Sequence, residues 1–502
     1  MKENTGIVRW LLSVGGVLLP AGLATAQCPT ATFVSLDVPP GGTGSQVNAI
    51  NRDGTVSAGI GYFGNLGVAT RWENGSMEIL GALPGHSTSA AHAVSGDGLT
   101  IVGTSGSGVD TRAFRWSESG GIDAIPGVGS GYSVARSVSA DGFVIVGDRQ
   151  NQAFAWVSGQ GLLDFGCPPC LGSAMGVSSD GQVIAGWGSA VNGIGVWRWT
   201  QGAGLQPLSP TGYMMTMSSD GQFVFGSLGS WEQAVRWSSD GQVRTLGLPA
   251  GGGFQSATST NDDGSIAVGI RNGSDHFLWT DALGWLDLRS VMLVLGADLT
   301  TWSEPFTNYG SYVSGDGETV VGTGWREILP GQFRLEAWKA TLPILLASAP
   351  TSQTVCVGAG HTMRVKVVGT AAPFVFIWRR NGVPLEPTDP RVSVSTSADG
   401  RISIASISEF LTNDVGVYDC VAQSVAFPCR VVSIQPVSLS ACYPNCDCAT
   451  VSPVLTSNDF QCFLNAFAAG EARANCDQST GTPQLTANDF QCFLNKFVAG
   501  CP

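Results

Sequence analysis

Apolar positions along most of this chain come in short, β-branched or alternating runs separated by glycine-containing turns, the pattern of short β-strands. Between residues 31 and 343 one unit recurs, A-x-x-V-S-x-D-G-x-x-I-V-G, as AHAVSGDGLTIVG, ARSVSADGFVIVG, AMGVSSDGQVIAG and MTMSSDGQFVFG. Its Asp-Gly pairs begin at Asp53, Asp97, Asp141, Asp180, Asp220, Asp263 and Asp316. Six residues after each Asp stands a glycine: Gly59, Gly103, Gly147, Gly186, Gly226, Gly269 and Gly322. Each copy then reaches a tryptophan-bearing strand, at Trp72, Trp116, Trp156, Trp199, Trp237, Trp279 and Trp338. Asp-Gly supplies the positive φ of a tight hairpin, and the Trp gives each unit bulk to pack on its neighbour. Units of about 40 residues with several short strands have the period of propeller blades. The prediction for 31–343 is therefore a mainly β, seven-bladed β-propeller, with ATFVSLDVP (residues 31 to 39) as the late strand that closes the last blade.

The strands RAFRW, QAFAW and QAVRW give these repeats a resemblance to bacterial extracellular repeats named for a His-Ala-Phe signature, here without the His. That resemblance bears on architecture, since propellers host unrelated functions. A new pattern begins at Pro350. Trp378 opens WRRNGVPL, and Asp414-Val415-Gly416-Val417-Tyr418-Asp419-Cys420 follows. Together they resemble the strand C tryptophan and the D-x-G-x-Y-x-C of strand F in immunoglobulin-like β-sandwiches, which places such a domain at 345–440. Strand B carries Val365 where that family has its cysteine, so Cys420 bonds elsewhere, to Cys356 or Cys429, or stays reduced.

In residues 442–502 a segment is duplicated: NCDCATVSPVLTSNDFQCFLNAFAAG returns as NCDQSTGTPQLTANDFQCFLNKFVAG. Phe460, Phe463, Leu464 and Phe467, and again Phe490, Phe493, Leu494 and Phe497, fall at helical spacing, with Gly470 and Gly500 at the helix ends. A polar loop followed by a short amphipathic helix, twice, resembles a dockerin, most closely the bacterial type ending in Gly-Cys, here Gly500-Cys501. The resemblance implies calcium, held by Asn445, Asp447, Thr456 and Asp459 in the first loop and by Asn475, Asp477, Ser479, Thr486 and Asp489 in the second. Each loop is three residues longer than the usual one, and Ala449 replaces one ligand. The repeated cysteines imply a bridge between Cys446 and Cys462 and another between Cys476 and Cys492, with Cys442 and Cys501 clasping the ends. It further implies a cohesin-like or other cell-surface partner, met by the apolar helix faces.

Composition adds the compartment. Lys2 and Arg9 flank the apolar stretch WLLSVGGVLLPAGL, which ends in Ala24-Thr25-Ala26, so residues 1–26 read as a signal peptide. Gln27 stands where a lipobox needs a small residue before Cys28, which argues against lipidation. No later stretch is long and apolar enough to span a bilayer as a helix. Thirteen cysteines in an exported chain read as disulfides with one left over, and Cys167-Pro-Pro-Cys170 reads as a small loop disulfide before a redox dithiol. A net charge of -13 excludes a basic nucleic-acid footprint, and Gly 68 with 13% charged residues matches a turn-rich β protein. Seven Asp-Gly pairs invite a calcium reading, but turn chemistry accounts for both residues.

His86, His92, His276 and His361 are scattered, and no nucleophile motif, phosphate loop or nucleotide fingerprint occurs. The sequence thus points to a non-catalytic, secreted or cell-surface binding and display protein. Its propeller would present a face to an unknown ligand, possibly a polysaccharide, and its tail would dock or anchor it. The alternative is an extracellular carbohydrate-active enzyme of glycoside hydrolase type carried by the same tail, since two carboxylates from distant blades leave no local trace.

Overall fold

The computed structural model describes residues 28–129, 131–163, 165, 171–190, 193–229, 233–247, 255–273, 275–303, 307, 309–385, 389–446, 455–477, 479–480 and 482–500. The signal segment, Cys167, Cys170, Asp447, Ala449 and Cys501 lie outside them. The chain forms two compact units, one of Pro29–Ala347 with Val368–Thr370, the other of Ser348–Val367 with Ala371–Pro502.

The first unit is built of antiparallel sheets, one per repeat. In the first repeat the strands are Gly44–Ile50, Val56–Phe63, Leu66–Glu73 and Ser76–Gly81, and the other repeats follow the same order. The third and fourth are joined through the single pair Gln152 and Leu171. The seventh sheet has three strands of its own and takes its fourth from the N-terminus, where Thr32–Ser35 pairs with Gln332–Thr341. The core lies between consecutive sheets. Ala58, Ala69 and Leu80 of the first repeat pack with Ile101, Phe114 and Trp116 of the second. Val47 and Trp72 of the first pack with Val321 and Ala337 of the seventh. All seven repeat tryptophans are buried.

Each Asp-Gly turn is self-contained. In the fifth, the Asp220 carboxylate accepts the Ser218 hydroxyl at 2.6 Å and the Gln222 N–H at 2.9 Å, while Ser218 Oγ accepts the Phe223 N–H at 2.9 Å. Gly221 sits at φ 69°, which only glycine adopts cheaply. The same Ser-x-Asp-Gly bonding recurs in the second, third, fourth and seventh repeats, and Asn51 and Asn261 replace the serine in the first and sixth. The aspartates are thus committed to their turns, as the turn-chemistry reading expects.

The turns also bond to one another. Backbone N–H groups of Asp97, Ala140, Ser179, Asp220 and Asp262 donate to carbonyls of Ala140, Ser179, Ser219, Asp262 and Gly315 in turn, at 2.7 to 3.1 Å. The Asp316 N–H then donates to Arg52 O at 3.0 Å, returning from the seventh repeat to the first. Above the turns, the first strand of each repeat packs on that of the next, and the seventh on the first.

Between the sixth and seventh repeats the chain inserts helix α1, Leu288–Val294, capped by Asp287 Oδ1 accepting the Ser290 N–H at 2.7 Å. The sequence reading missed it, although the last Asp-Gly interval is 53 residues where the others are 39 to 44. His276 pins the return: its Nε2–H donates to Thr307 O at 2.8 Å and its Nδ1 bonds the Ser311 hydroxyl.

In the second unit, one sheet pairs His361–Val368 with Ile402–Ile407 and the latter with Val392–Thr396. The other pairs Phe374–Arg380 with Gly416–Ser424, and a parallel pair joins Gln353–Cys356 to Val437–Cys442. Trp378, from one sheet, donates its indole N–H to Ser403 Oγ of the other at 2.9 Å. Tyr418 donates its hydroxyl to Asp414 O at 2.5 Å, the hydrogen bond of a tyrosine corner. Val365 and Cys420 are both buried. Cys420 is a reduced thiol, and of the partners considered for it Cys429 instead bonds Cys28.

The tail folds as helix α2, Ser457–Ala468, and helix α3, Ala487–Ala499. Disulfides Cys446–Cys462 and Cys476–Cys492 tie each loop to its helix. Cys442 is disulfide-bonded as well.

Candidate functional site

The duplicated tail brings its two helices together at equivalent positions. Phe463 stacks on Phe493 with centroids 4.1 Å apart, and Phe460 meets Phe490 edge-on at 5.6 Å. Tyr443, Ala466 and Ala474 complete this core, and Val357 packs against it. The apolar helix faces expected to meet a partner are therefore spent on each other, because two short helices have no other way to cover six phenylalanines. What they leave outward is polar apart from residues such as Val498, 88% exposed.

Asp459 and Asp489 are fully buried at the third helical position. Each closes a reciprocal cap: Thr456 N–H donates to Asp459 Oδ2 at 2.7 Å, Thr486 N–H to Asp489 Oδ2 at 2.8 Å, and each threonine hydroxyl accepts from the N–H two residues on. These four residues thus start the helices, a role the metal reading did not assign them. In the second loop Asp489 Oδ1 also accepts the Asp477 N–H at 3.1 Å, Asp477 Oδ1 accepts the Ser479 N–H at 2.9 Å, and Asn475 Nδ2 donates to Ser479 O at 2.8 Å. The bonds from Ser479 hold the Asp477 carboxyl below its usual range.

Asn475 Oδ1 is buried with no hydrogen-bond partner among the described residues. A buried acceptor without a partner is an oxygen that a hard cation would satisfy. Asn475, Asp477, Ser479 and Asp489 thus fit the calcium that the resemblance implies. Of the first loop, Asn445 is buried and Asp447 is outside the described residues, so the structure gathers fewer of its expected ligands. Among the described residues no group of three or more His, Cys, Asp or Glu is placed to hold a metal.

A second candidate was absent from the sequence reading. The first strand of each of the first six repeats carries one extra residue against its neighbour: Asn48, His92, Arg136, Met175, Met215 and Thr258. Ser311 is the equivalent position by alignment in the seventh. Such a β-bulge bends the strand and re-aims the extra side chain. It also explains the repeated glycine. A Cβ on Gly59, Gly103, Gly147, Gly186, Gly226 or Gly269 would lie 1.9 to 2.1 Å from the carbonyl oxygen two residues before the bulge.

The six bulge residues are half-buried, and each follows a buried residue. Their chemistry differs by sector. Asn48 donates to Ala91 O at 2.9 Å and accepts from Gln46 at 2.7 Å, and Gln46 Oε1 accepts the Tyr62 hydroxyl at 2.6 Å. His92 bonds Thr104 Oγ1 at 3.1 Å. Burial, then the Arg136 charge, lowers its pKa to about 4, so the ring is neutral at pH 7. Arg136 Nε donates to Asp148 Oδ1 at 2.6 Å and to Ser173 Oγ at 2.9 Å, and Ser173 donates to Asp148 at 2.6 Å. The next two positions are thioethers, Met175 and Met215.

No family model and no curated protein matches this chain. Among solved structures, parts of it are similar to TolB from Acinetobacter baumannii, with 17% identity over 39% of this chain and 52% of that one, at a TM-score of 0.33. Others are the N-terminal Ig1-2 module of the Drosophila receptor protein tyrosine phosphatase DLAR (28% identity, 20% of this chain, 48% of that one, TM-score 0.18) and the Dscam1 Ig7 domain (17%, 20%, 97%, 0.18). The chain spans about half the length of the first two. No described helix is long and apolar enough to cross a membrane.

Proposed function

We propose that this chain is a non-catalytic, secreted or cell-surface binding and display protein. Its repeats are the blades of a seven-bladed β-propeller, residues 345–440 are an immunoglobulin-like spacer, and the tail is a dockerin-like docking module. The ring reading is supported by the turn-to-turn hydrogen bonds that return from Asp316 to Arg52 and by the N-terminal strand in the seventh sheet. The observation that carries binding is the bulge series: seven equivalent inner positions bear Asn, His, Arg, Met, Met, Thr and Ser on an otherwise repeated frame. Side chains of different chemistry at equivalent positions of a repeated frame are what recognition can use. A glycoside hydrolase would need two carboxylates about 5 to 10 Å apart. The bulge positions carry none, and Asp148 beside them is occupied by Arg136 and Ser173.

In the tail, calcium held by Asn475, Asp477, Ser479 and Asp489 would neutralise the two carboxylates and fix the loop. The partner, a cohesin-like or other cell-surface protein, would meet the loop edges and polar helix faces, since the phenylalanines are enclosed. The test is retention of the purified full-length chain on envelopes of the producing cell, in calcium and in EGTA, with Asp477→Asn alongside. Calcium-dependent retention that Asp477→Asn abolishes is expected. No retention of the parent chain would sink docking, and retention indifferent to EGTA and to the variant would sink the metal's part in it.

A further inference from the structure

Resting on the propeller reading above, we propose that the centre of the ring is a binding site for a carboxylate attached to an apolar group, with Arg136 taking the carboxylate and Met175 and Met215 the apolar part. A guanidinium has two hydrogen-bonding edges. Arg136 turns the Nε edge to Asp148 and Ser173. Its two terminal nitrogens have no partner among the described residues, and the side chain is 34% exposed while Asp148, behind it, is 8% exposed. The remaining edge, two parallel N–H groups, matches a planar carboxylate in a bidentate pair. Asp148 fixes the guanidinium in place, so little side-chain entropy is lost when an anion arrives.

The surroundings discriminate further. His92, uncharged at neutral pH, and Asn48 continue the polar arc on one side of Arg136. On the other side Met215 is half-buried, and Met175, also half-buried, packs partly on the core between the fourth and fifth repeats. Methionine fills irregular apolar space and adapts to different shapes. At the turn end, the ring is drawn together by the turn-to-turn hydrogen bonds. There Arg52 Nε reaches from the first repeat to Asp262 of the sixth at 2.6 Å. Ligand therefore enters from the opposite end, along the bulge residues.

The test uses the full-length oxidised chain labelled with 13C at methionine methyls, titrated with hexanoate, with hexanamide as the uncharged isostere and glucuronate as the polar acid. Hexanoate should shift the Met175 and Met215 signals and bind about tenfold or more tightly than hexanamide. Glucuronate should bind more weakly than hexanoate, and tighter binding of glucuronate would overturn the apolar half of the assignment. Arg136→Gln should abolish the shifts. Because that change strands Asp148, Asn48→Asp is the second variant, placing a negative charge in the ring with the side-chain shape kept. It should weaken hexanoate about tenfold while the tryptophan fluorescence of the folded chain is unchanged. Equal binding of hexanoate and hexanamide, or of the parent and a folded Asn48→Asp chain, would overturn the site. Absence of hexanoate shifts in a chain that envelopes retain would overturn this inference alone, and shifts without retention would overturn the docking reading alone.

Discussion

The seventh sheet takes its fourth strand from the N-terminus, and Phe33 is the residue through which that dependence can be measured. Its side chain stacks on Trp338 at 4.9 Å and meets Trp302 edge-on at 5.2 Å. Truncating a fully buried Phe to Ala costs about 3 to 5 kcal/mol, and an aromatic pair adds about 0.5 to 1.5 kcal/mol beyond area. Phe33 is half-buried, so Phe33→Ala should cost about 2 to 3 kcal/mol. Ser35→Ala removes a 2.6 Å hydrogen bond to Glu336, whose buried carboxylate is otherwise held by Arg326 and Arg334, and should cost about 1.5 kcal/mol or more. The two costs should fall short of additive, because once the strand leaves the sheet the second change has nothing left to break. The neighbouring Val34, 50% exposed, is the control: Val34→Ala should stay within about 0.5 kcal/mol. Urea unfolding followed by tryptophan fluorescence reads all four variants, since the repeat tryptophans lie in this unit. A Phe33→Ala chain as stable as Val34→Ala would mean that residues 32–35 do not close the seventh sheet.

Other expectations follow from the same geometry. The two tail disulfides close loops of equal sequence separation, 16 residues, so deleting either pair should destabilise the tail by about 3 kcal/mol in a pulse-proteolysis assay. Markedly unequal costs would contradict the twofold equivalence of the copies. Burial pushes the Cys420 thiol up to about 12, so it should resist alkylation at pH 8 in the folded chain and react only on unfolding. Rapid labelling of native Cys420 would show that the sandwich interior is open. His92 has a folded pKa near 4, below its ordinary 6.5, so the unfolded chain binds more protons between those values and stability should fall as pH drops through that window. The urea midpoint of His92→Gln should fall less steeply from pH 6.5 to 4, and an unchanged slope would refute the burial of this imidazole.

The repeats were legible because each turn has one chemical solution: Ser or Asn to bind the backbone, Asp to bind both, and Gly for the positive φ. The late strand was legible as an unpaired segment of β character just ahead of the first repeat. The bulge positions were not, since the extra residue follows no common type across the copies and looks like noise between Ala91 and Ala93 or Ala135 and Ser137. Their signal was the glycine six residues after each Asp, whose necessity becomes physical only once a carbonyl is seen 2 Å from its missing Cβ. In the tail, the heptad-like phenylalanines announced two helices but not what they pack against. Their duplication carried that information, because equivalent residues meet across a twofold arrangement. The bridge from Cys28 to Cys429 joins positions 401 residues apart, and no local pattern encodes it.

The closure of the ring is tested most directly by amide hydrogen exchange of the intact chain, resolved at single residues. The Asp316 N–H, which bridges the last repeat to the first, should be protected to the same degree as those of Ala140, Ser179 and Asp262 at internal junctions. Protection at those three with Asp316 exchanging as fast as an exposed loop would describe an open array of repeats, and the central binding site would have no enclosure.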